Sequence, residues 1–128
     1  GIQAPEEKGK NKRRFVRKNV SIFATFKITN HSKTNQCIIQ NISTGGLLVS
    51  SRMGVPVGEK ILLDFTLQDN NIFGDIEGKV VQSSPLKDKQ SSYFKMGIEF
   101  TSLNNTHIEK ISNFTVNQTQ SQETYVNL

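Results

Sequence analysis

The chain predicts an all-β domain: a small six-stranded antiparallel β-barrel followed by a C-terminal α-helix, with flexible segments at both termini. Three observations carry this. Apolar residues alternate with polar ones in short segments, the period-2 signature of half-buried strands. Clusters of Asn, Asp, Ser and Gly separate those segments with no helical stretch interleaved, which favours an antiparallel barrel over a parallel α/β sheet. Only after Phe100 do apolar residues recur at steps of three and four.

Residues 1–11 lack apolar periodicity and read as a flexible linker or arm. In residues 20–28, Val20, Ile22, Ala24, Phe26 and Ile28 share one face of a first strand. A polar turn at residues 30–35 leads to a short strand at Cys37-Ile38-Ile39, then to Asn41-Ile42-Ser43-Thr44-Gly45-Gly46 and a third strand at Leu47-Leu48-Val49. After a loop with Gly54, Pro56 and Gly58, a fourth strand places Ile61, Leu63, Phe65 and Leu67 on one face. Residues 68–71 make a hairpin turn, and residues 72–81 a fifth strand in which Gly74 and Gly78 suggest bulges or bends. Residues 83–92 read as a loop before a sixth strand, with Phe94, Met96, Ile98 and Phe100 on one face. Leu103, His107, Ile111 and Phe114 or Thr115 then mark a helix from Ser102, its expected N-cap, to about Val116, whose apolar face would plug or cap the barrel. Residues 12–116 thus form the barrel and helix, and residues 117–128 a polar tail expected to fray.

The 128 residues suffice for one core and not for two. No apolar run reaches the ~20 residues of a membrane helix and no signal-peptide pattern is present. The lone cysteine, Cys37, cannot form an intramolecular disulfide, which fits a reducing compartment and a cytoplasmic location, with attachment of a parent protein to a membrane left open. The chain starts with Gly1 and not Met, which fits either a fragment of something longer or a cloning remnant.

The net charge of +5 is confined to one place. Residues 1–18 hold seven Lys/Arg against Glu6 and Glu7, whereas residues 19–128 hold nine Lys/Arg and nine Asp/Glu. A neutral body with a basic arm argues for one local anionic ligand rather than a broad nucleic-acid face. Three of the four arginines, Arg13, Arg14 and Arg17, lie within Lys12-Arg13-Arg14-Phe15-Val16-Arg17-Lys18. Their planar forks of donors suit phosphate oxygens and the O6/N7 edge of guanine, while Lys8, Lys10 and Lys18 read as solvated charge.

Enzyme chemistry is not legible. His31 lies in a polar turn, His107 on the helix and Cys37 in a strand; the carboxylates are unpaired, and no Cys/His spacing suits a metal. No phosphate-binding glycine loop with a Lys-Ser/Thr pair occurs. The expectation is a non-enzyme without metal or cofactor.

Asn41-Ile42-Ser43-Thr44-Gly45-Gly46 taken alone is a turn. One strand and one short return strand separate it from the arginines, so a hairpin can bring the two stretches together at one rim of the barrel. Here the chain resembles the PilZ domain family. Arg13-Arg14-Phe15-Val16-Arg17 matches that family's RxxxR motif, Asn41-x-Ser43-x-x-Gly46 its [D/N]xSxxG motif, and Gly97-Ile98-Glu99-Phe100 its late strand. Glu77-Gly78-Lys79-Val80-Val81 is also similar, and the resemblance covers roughly residues 12–115.

The resemblance implies a six-stranded barrel that binds the bacterial second messenger cyclic di-GMP. It implies that Arg13 and Arg17 grip a guanine edge or a phosphate, or stack on a guanine face, with Arg14 as a further contact. Asn41 would accept from the guanine N1–H/N2–H edge, with one acceptor where the family more often has the two of Asp. Ser43 would bond the ligand or lock the turn, and Gly45 and Gly46 would let the backbone approach. Gly97 is a further candidate, and Lys12, just before the motif, leans toward two bound ligand molecules rather than one. The implied role is a regulatory module for motility, biofilm or polysaccharide output, whose basic arm orders on binding and signals to a neighbouring N-terminal domain or another partner. The alternatives are a ligand-free PilZ-like protein–protein interaction module and, after it, a non-specific nucleic-acid-binding barrel.

Overall fold

The computed structural model describes residues 16–87 and 92–127. Six strands, β1 (Lys18–Ile28), β2 (Asn35–Ile42), β3 (Gly46–Ser51), β4 (Lys60–Thr66), β5 (Ile72–Lys87) and β6 (Ser92–Phe100), precede a helix, α1 (Asn105–Asn127). The strands pair antiparallel and close in the order β1-β2-β3-β6-β5-β4, with β1 against β4 completing the barrel. The expected all-β barrel with a C-terminal helix is the fold.

Inward positions follow the alternation: Ile22, Ala24 and Phe26 from β1, Ile61, Leu63 and Phe65 from β4, and Met96 and Ile98 from β6 are all buried. Phe65 stacks on Phe73 with ring centroids 4.9 Å apart. The helix contributes Ile111 and Phe114, which are 0% and 1% exposed and join the same core, so the apolar face of α1 packs on the barrel.

Several boundaries differ from expectation. β2 extends at both ends, so Asn41 and Ile42 belong to the strand; β1 and β3 on either side supply partners for residues whose own propensity is for turns. β5 runs on to Lys87 through the expected loop, because residues 82–87 pair with β6. Pro85 is tolerated there because β4 pairing ends at Lys79, leaving that stretch an edge. At the helix start Asn104, not Ser102, is the cap: its Oδ1 accepts from His107 N at 2.7 Å, while the intervening Leu103 packs on the core. The helix also continues to Asn127, since residues 117–127 contain no Gly or Pro to stop it.

Of the two glycines expected to mark irregularities in β5, Gly74 does so. Between Leu63 and Phe65 the register slips, and β5 carries an extra residue. Asp75 there adopts φ 53, held by donation from its N–H to Asp64 Oδ1 at 2.9 Å. Gly78 instead makes room for β6, since a Cβ on it would lie 2.6 Å from Ile98 Cγ2.

Candidate functional site

The site is built where β2 stops alternating. Cys37 and Ile39 point inward, and strict alternation would send Asn41 inward as well. A bulge intervenes: Ile39 pairs with Val49 but Asn41 pairs with Leu48, leaving Gln40 as an extra residue on β2. Asn41 is thereby turned to the outer face while Ile42 returns to the core.

β1 brings the basic stretch to the same place. Lys18 pairs with Ile42 and Asn19 with Asn41, so Arg17, exposed just before the strand, stands over the bulge. Its guanidinium NH1 donates to Asn41 Oδ1 at 3.0 Å, joining residues 24 positions apart in the chain. Lys18 is not solvated charge as expected: it is 5% exposed, because it takes the inward position opposite Ile42.

Ser43 lies in the turn and is 1% exposed. Its Oγ accepts from Gly45 N at 3.1 Å and Gly46 N at 3.3 Å and donates to Gly46 O at 3.4 Å, while Ser43 N also donates to Gly46 O at 2.9 Å. A hydroxyl has one proton and two lone pairs, so the turn uses all of them. Of the two roles open to Ser43, locking the turn is the one these contacts perform.

Gly45 O accepts from Phe100 N at 3.0 Å, tying the turn to the end of β6. At Gly46 a Cβ would fall 2.0 Å from Ile98 O, so the close approach this glycine permits is that of β6. Gly97 differs. It pairs with Leu48 on one side and Gln82 on the other, and a Cβ on it would meet Gln82 Cβ at 3.4 Å, an ordinary contact. The row Asn41, Leu48, Gly97, Gln82 thus runs across the outer face with a low point at Gly97. Leu48 and Gln82 were not singled out from sequence; only the cross-strand register places them beside Asn41.

Lys12, Arg13 and Arg14 lie outside the described residues. The described part of the site is therefore Arg17 hydrogen-bonded to Asn41 over a turn locked by Ser43. It offers guanidinium donors, an amide with both donor and acceptor, and an open glycine floor, a set that suits phosphate oxygens and purine edges.

Other reactive groups stand apart from it. Burial pushes the Cys37 thiol up to about 12, so it is not a nucleophile at neutral pH. His107 packs tilted against Phe73 at 5.4 Å, and its buried Nδ1 has no hydrogen-bond partner among the described residues. Among the described residues no group of three or more His, Cys, Asp or Glu is placed to hold a metal ion, and no helix is long and apolar enough to cross a membrane.

The family model of the PilZ domain matches residues 11–117. No curated protein matches the chain. Among solved structures, the PilZ domain of YcgR from Escherichia coli with c-di-GMP is similar at a TM-score of 0.69 and 15% identity, covering 91% of this chain and 99% of that one. The Bacillus subtilis inhibitor of motility, MotI/DgrA, is similar at 0.68 and 18%, covering 85% of this chain and 52% of that one. The K. pneumonia MrkH–c-di-GMP complex is similar at 0.72 and 15%, covering 87% and 53%. This chain thus spans the whole of the isolated domain and about half of the two longer chains. At these identities the likeness is one of fold.

Proposed function

The chain belongs to the PilZ domain family, and we propose that it is a receptor for cyclic di-GMP acting as a regulatory module. The observation that carries this reading is the 3.0 Å hydrogen bond from Arg17 to Asn41 Oδ1, which joins the family's two motifs in one place. Neighbours of the same fold, YcgR, MrkH and PlzA, are described in complex with c-di-GMP.

On this reading Asn41 Oδ1 keeps one lone pair for Arg17 and offers the other to the guanine N1–H/N2–H edge. Arg17 has donors to spare for a guanine O6/N7 edge or a phosphate, and Arg13 and Arg14 supply the remaining charge-assisted contacts. Ser43, Gly45 and Gly46 hold the turn that aims Asn41, Gly97 leaves the floor open, and Lys12 favours a second ligand molecule. Contacts made only when the ligand is present draw the basic arm ahead of Arg17 onto the barrel, and that movement is the signal to a neighbouring domain or partner. The outputs that fit such a module are motility, biofilm or polysaccharide synthesis.

Calorimetric titration with cyclic di-GMP, GTP and cyclic GMP tests the reading. Cyclic di-GMP is expected to bind with Kd in the micromolar range or tighter, about −8 kcal/mol, with no comparable heat from the other two. Arg17→Ala removes a charged donor and should weaken binding by about 10- to 100-fold. Asn41→Asp adds a second acceptor and a charge, and should tighten binding by up to about tenfold. Absence of heat with cyclic di-GMP overturns the assignment, and the stoichiometry decides between one ligand and two.

A further inference from the structure

The outer face of the barrel carries a second feature, away from the Asn41 turn. A groove of ≈ 610 Å³ runs over β1, β2, β3 and the start of β6, from Thr34 to Gln40 along β2. Its middle is a cross-strand row: Phe23 pairs with Ile38, Ile38 with Ser50, and Ser50 with Lys95. Phe23 is 59% exposed, Ile38 37% and Met53 38%, so three large apolar side chains of one groove stand in water. Isolated exposed apolar residues need no explanation, but a contiguous set on one concave face does. Gln40 Nε2, donating to Ser50 Oγ at 3.4 Å, lies at the end nearest Asn41.

Dimensions and charge select the occupant. Six residues of strand and three strand spacings give a trough of roughly 20 by 14 Å on the outer wall of the barrel. It lies open to solvent along its length, so it does not surround a small molecule on most sides. β2, β3 and β6 each have a strand on both sides, so a partner cannot add a strand to them and must read side chains. A helix about 10 Å across with its side chains, lying along β2 for about 13 residues, matches the trough in length and width. Arg52 lines the groove, Lys95 extends its central row, and none of the described lining residues is acidic.

We propose that this groove docks an acidic amphipathic helix of a partner protein. The helix sets a row of bulky apolar side chains on Phe23, Ile38 and Met53 and turns carboxylates toward Arg52 and Lys95. The inference stands independently of the ligand assigned to the Asn41 site.

The test uses the ¹⁵N-labelled full chain titrated with a synthetic helix-forming peptide of about 16 residues, long enough to cover the groove. The peptide carries Leu or Phe at i, i+3, i+4 and i+7 with Glu on the flanks; a second peptide carries Lys in place of Glu. Amide shifts are expected only at the groove, with the acidic peptide binding at least about tenfold more tightly than its basic counterpart. Phe23→Ser should weaken binding, and Arg52→Glu should reverse the charge preference, both with an unchanged unfolding midpoint because the side chains point outward. Equal binding of the two peptides, or no shift up to about 1 mM peptide, overturns the proposal. So do shifts centred on Arg17 and Asn41, binding of phosphatidylglycerol vesicles through the same residues, or concentration-dependent self-association through this face without peptide.

Discussion

The Ser43 hydroxyl has one proton to give and two lone pairs to offer, and its own turn takes all three, through Gly45 N, Gly46 N and Gly46 O. Ser43→Ala leaves two buried or half-buried N–H groups without their partner, so it should destabilise the fold by about 1–3 kcal/mol, read from the denaturation midpoint in urea. Ligand affinity should fall with it, because the turn that aims Asn41 loosens. Cys37 shows burial acting on a group with no role in the site. Its thiol is raised from 9.0 to about 12 by desolvation. Below pH 9 both folded and unfolded chains keep the proton and pH has no effect through this residue. Above it the unfolded chain loses the proton while the folded chain retains it, so stability falls by up to about 1.4 kcal/mol per pH unit until the folded thiol also ionises. Cys37→Ala removes a sulfur and costs some packing, but the gap between variant and wild type should narrow as pH rises from 9 to 11. A constant gap across that range would show that the thiol does not contribute. At neutral pH the same burial should leave Cys37 unreactive toward iodoacetamide until the chain unfolds.

At the scale of elements, the pairing of β3 with β6 separates two glycines that look alike in sequence. Gly46→Ala would place a methyl 2.0 Å from Ile98 O, a backbone atom that cannot step aside, so β3 must part from β6. The expected cost is about 2–4 kcal/mol, comparable to severe overpacking. Gly97→Ala meets only Gln82 Cβ, at 3.4 Å, and should change stability by less than about 1 kcal/mol while raising the floor of the site and weakening ligand binding. Thermal unfolding and calorimetry on the pair distinguish a packing glycine from a floor glycine. The contrast also marks what sequence can show. The strands and the helix face at Ile111 and Phe114 were legible because period 2 and period 3.6 are written in the apolar positions. The bulge at Gln40 was not, because it is a matter of cross-strand register between β2 and β3, and without it alternation would have buried Asn41. Lys18 lies two residues before Val20 on the same alternating face, but its charge, within a basic run, reads as solvated; its burial follows from facing Ile42 across the strand pair. The helix start moved because Asn104 caps as well as Ser102 does, and packing of Leu103 decided between them.

Across the whole molecule, the apolar core and the excess charge occupy different parts of the chain. Every buried apolar side chain among the described residues lies between Ile22 and Phe114, whereas the whole net charge of +5 lies in residues 1–18. Shortening the chain from its start should therefore separate stability from recognition. A chain beginning at Lys12 loses Lys8 and Lys10, which precede the arginine motif and belong to neither motif. It should keep its unfolding midpoint and its affinity for cyclic di-GMP at ~150 mM salt, where exposed charges more than about 8 Å apart are screened. A difference should emerge only in dilute buffer, as a slower association without steering by the extra charge. A chain beginning at Lys18 lacks Arg13, Arg14 and Arg17 together. It should still melt within a few degrees of the full chain, because the strand register from Lys18 onward is intact, yet show no heat with the dinucleotide. Loss of the cooperative transition in that shorter chain would mean that the basic segment holds the barrel together. Retained binding would mean that Asn41 and its turn recognise the ligand without arginine.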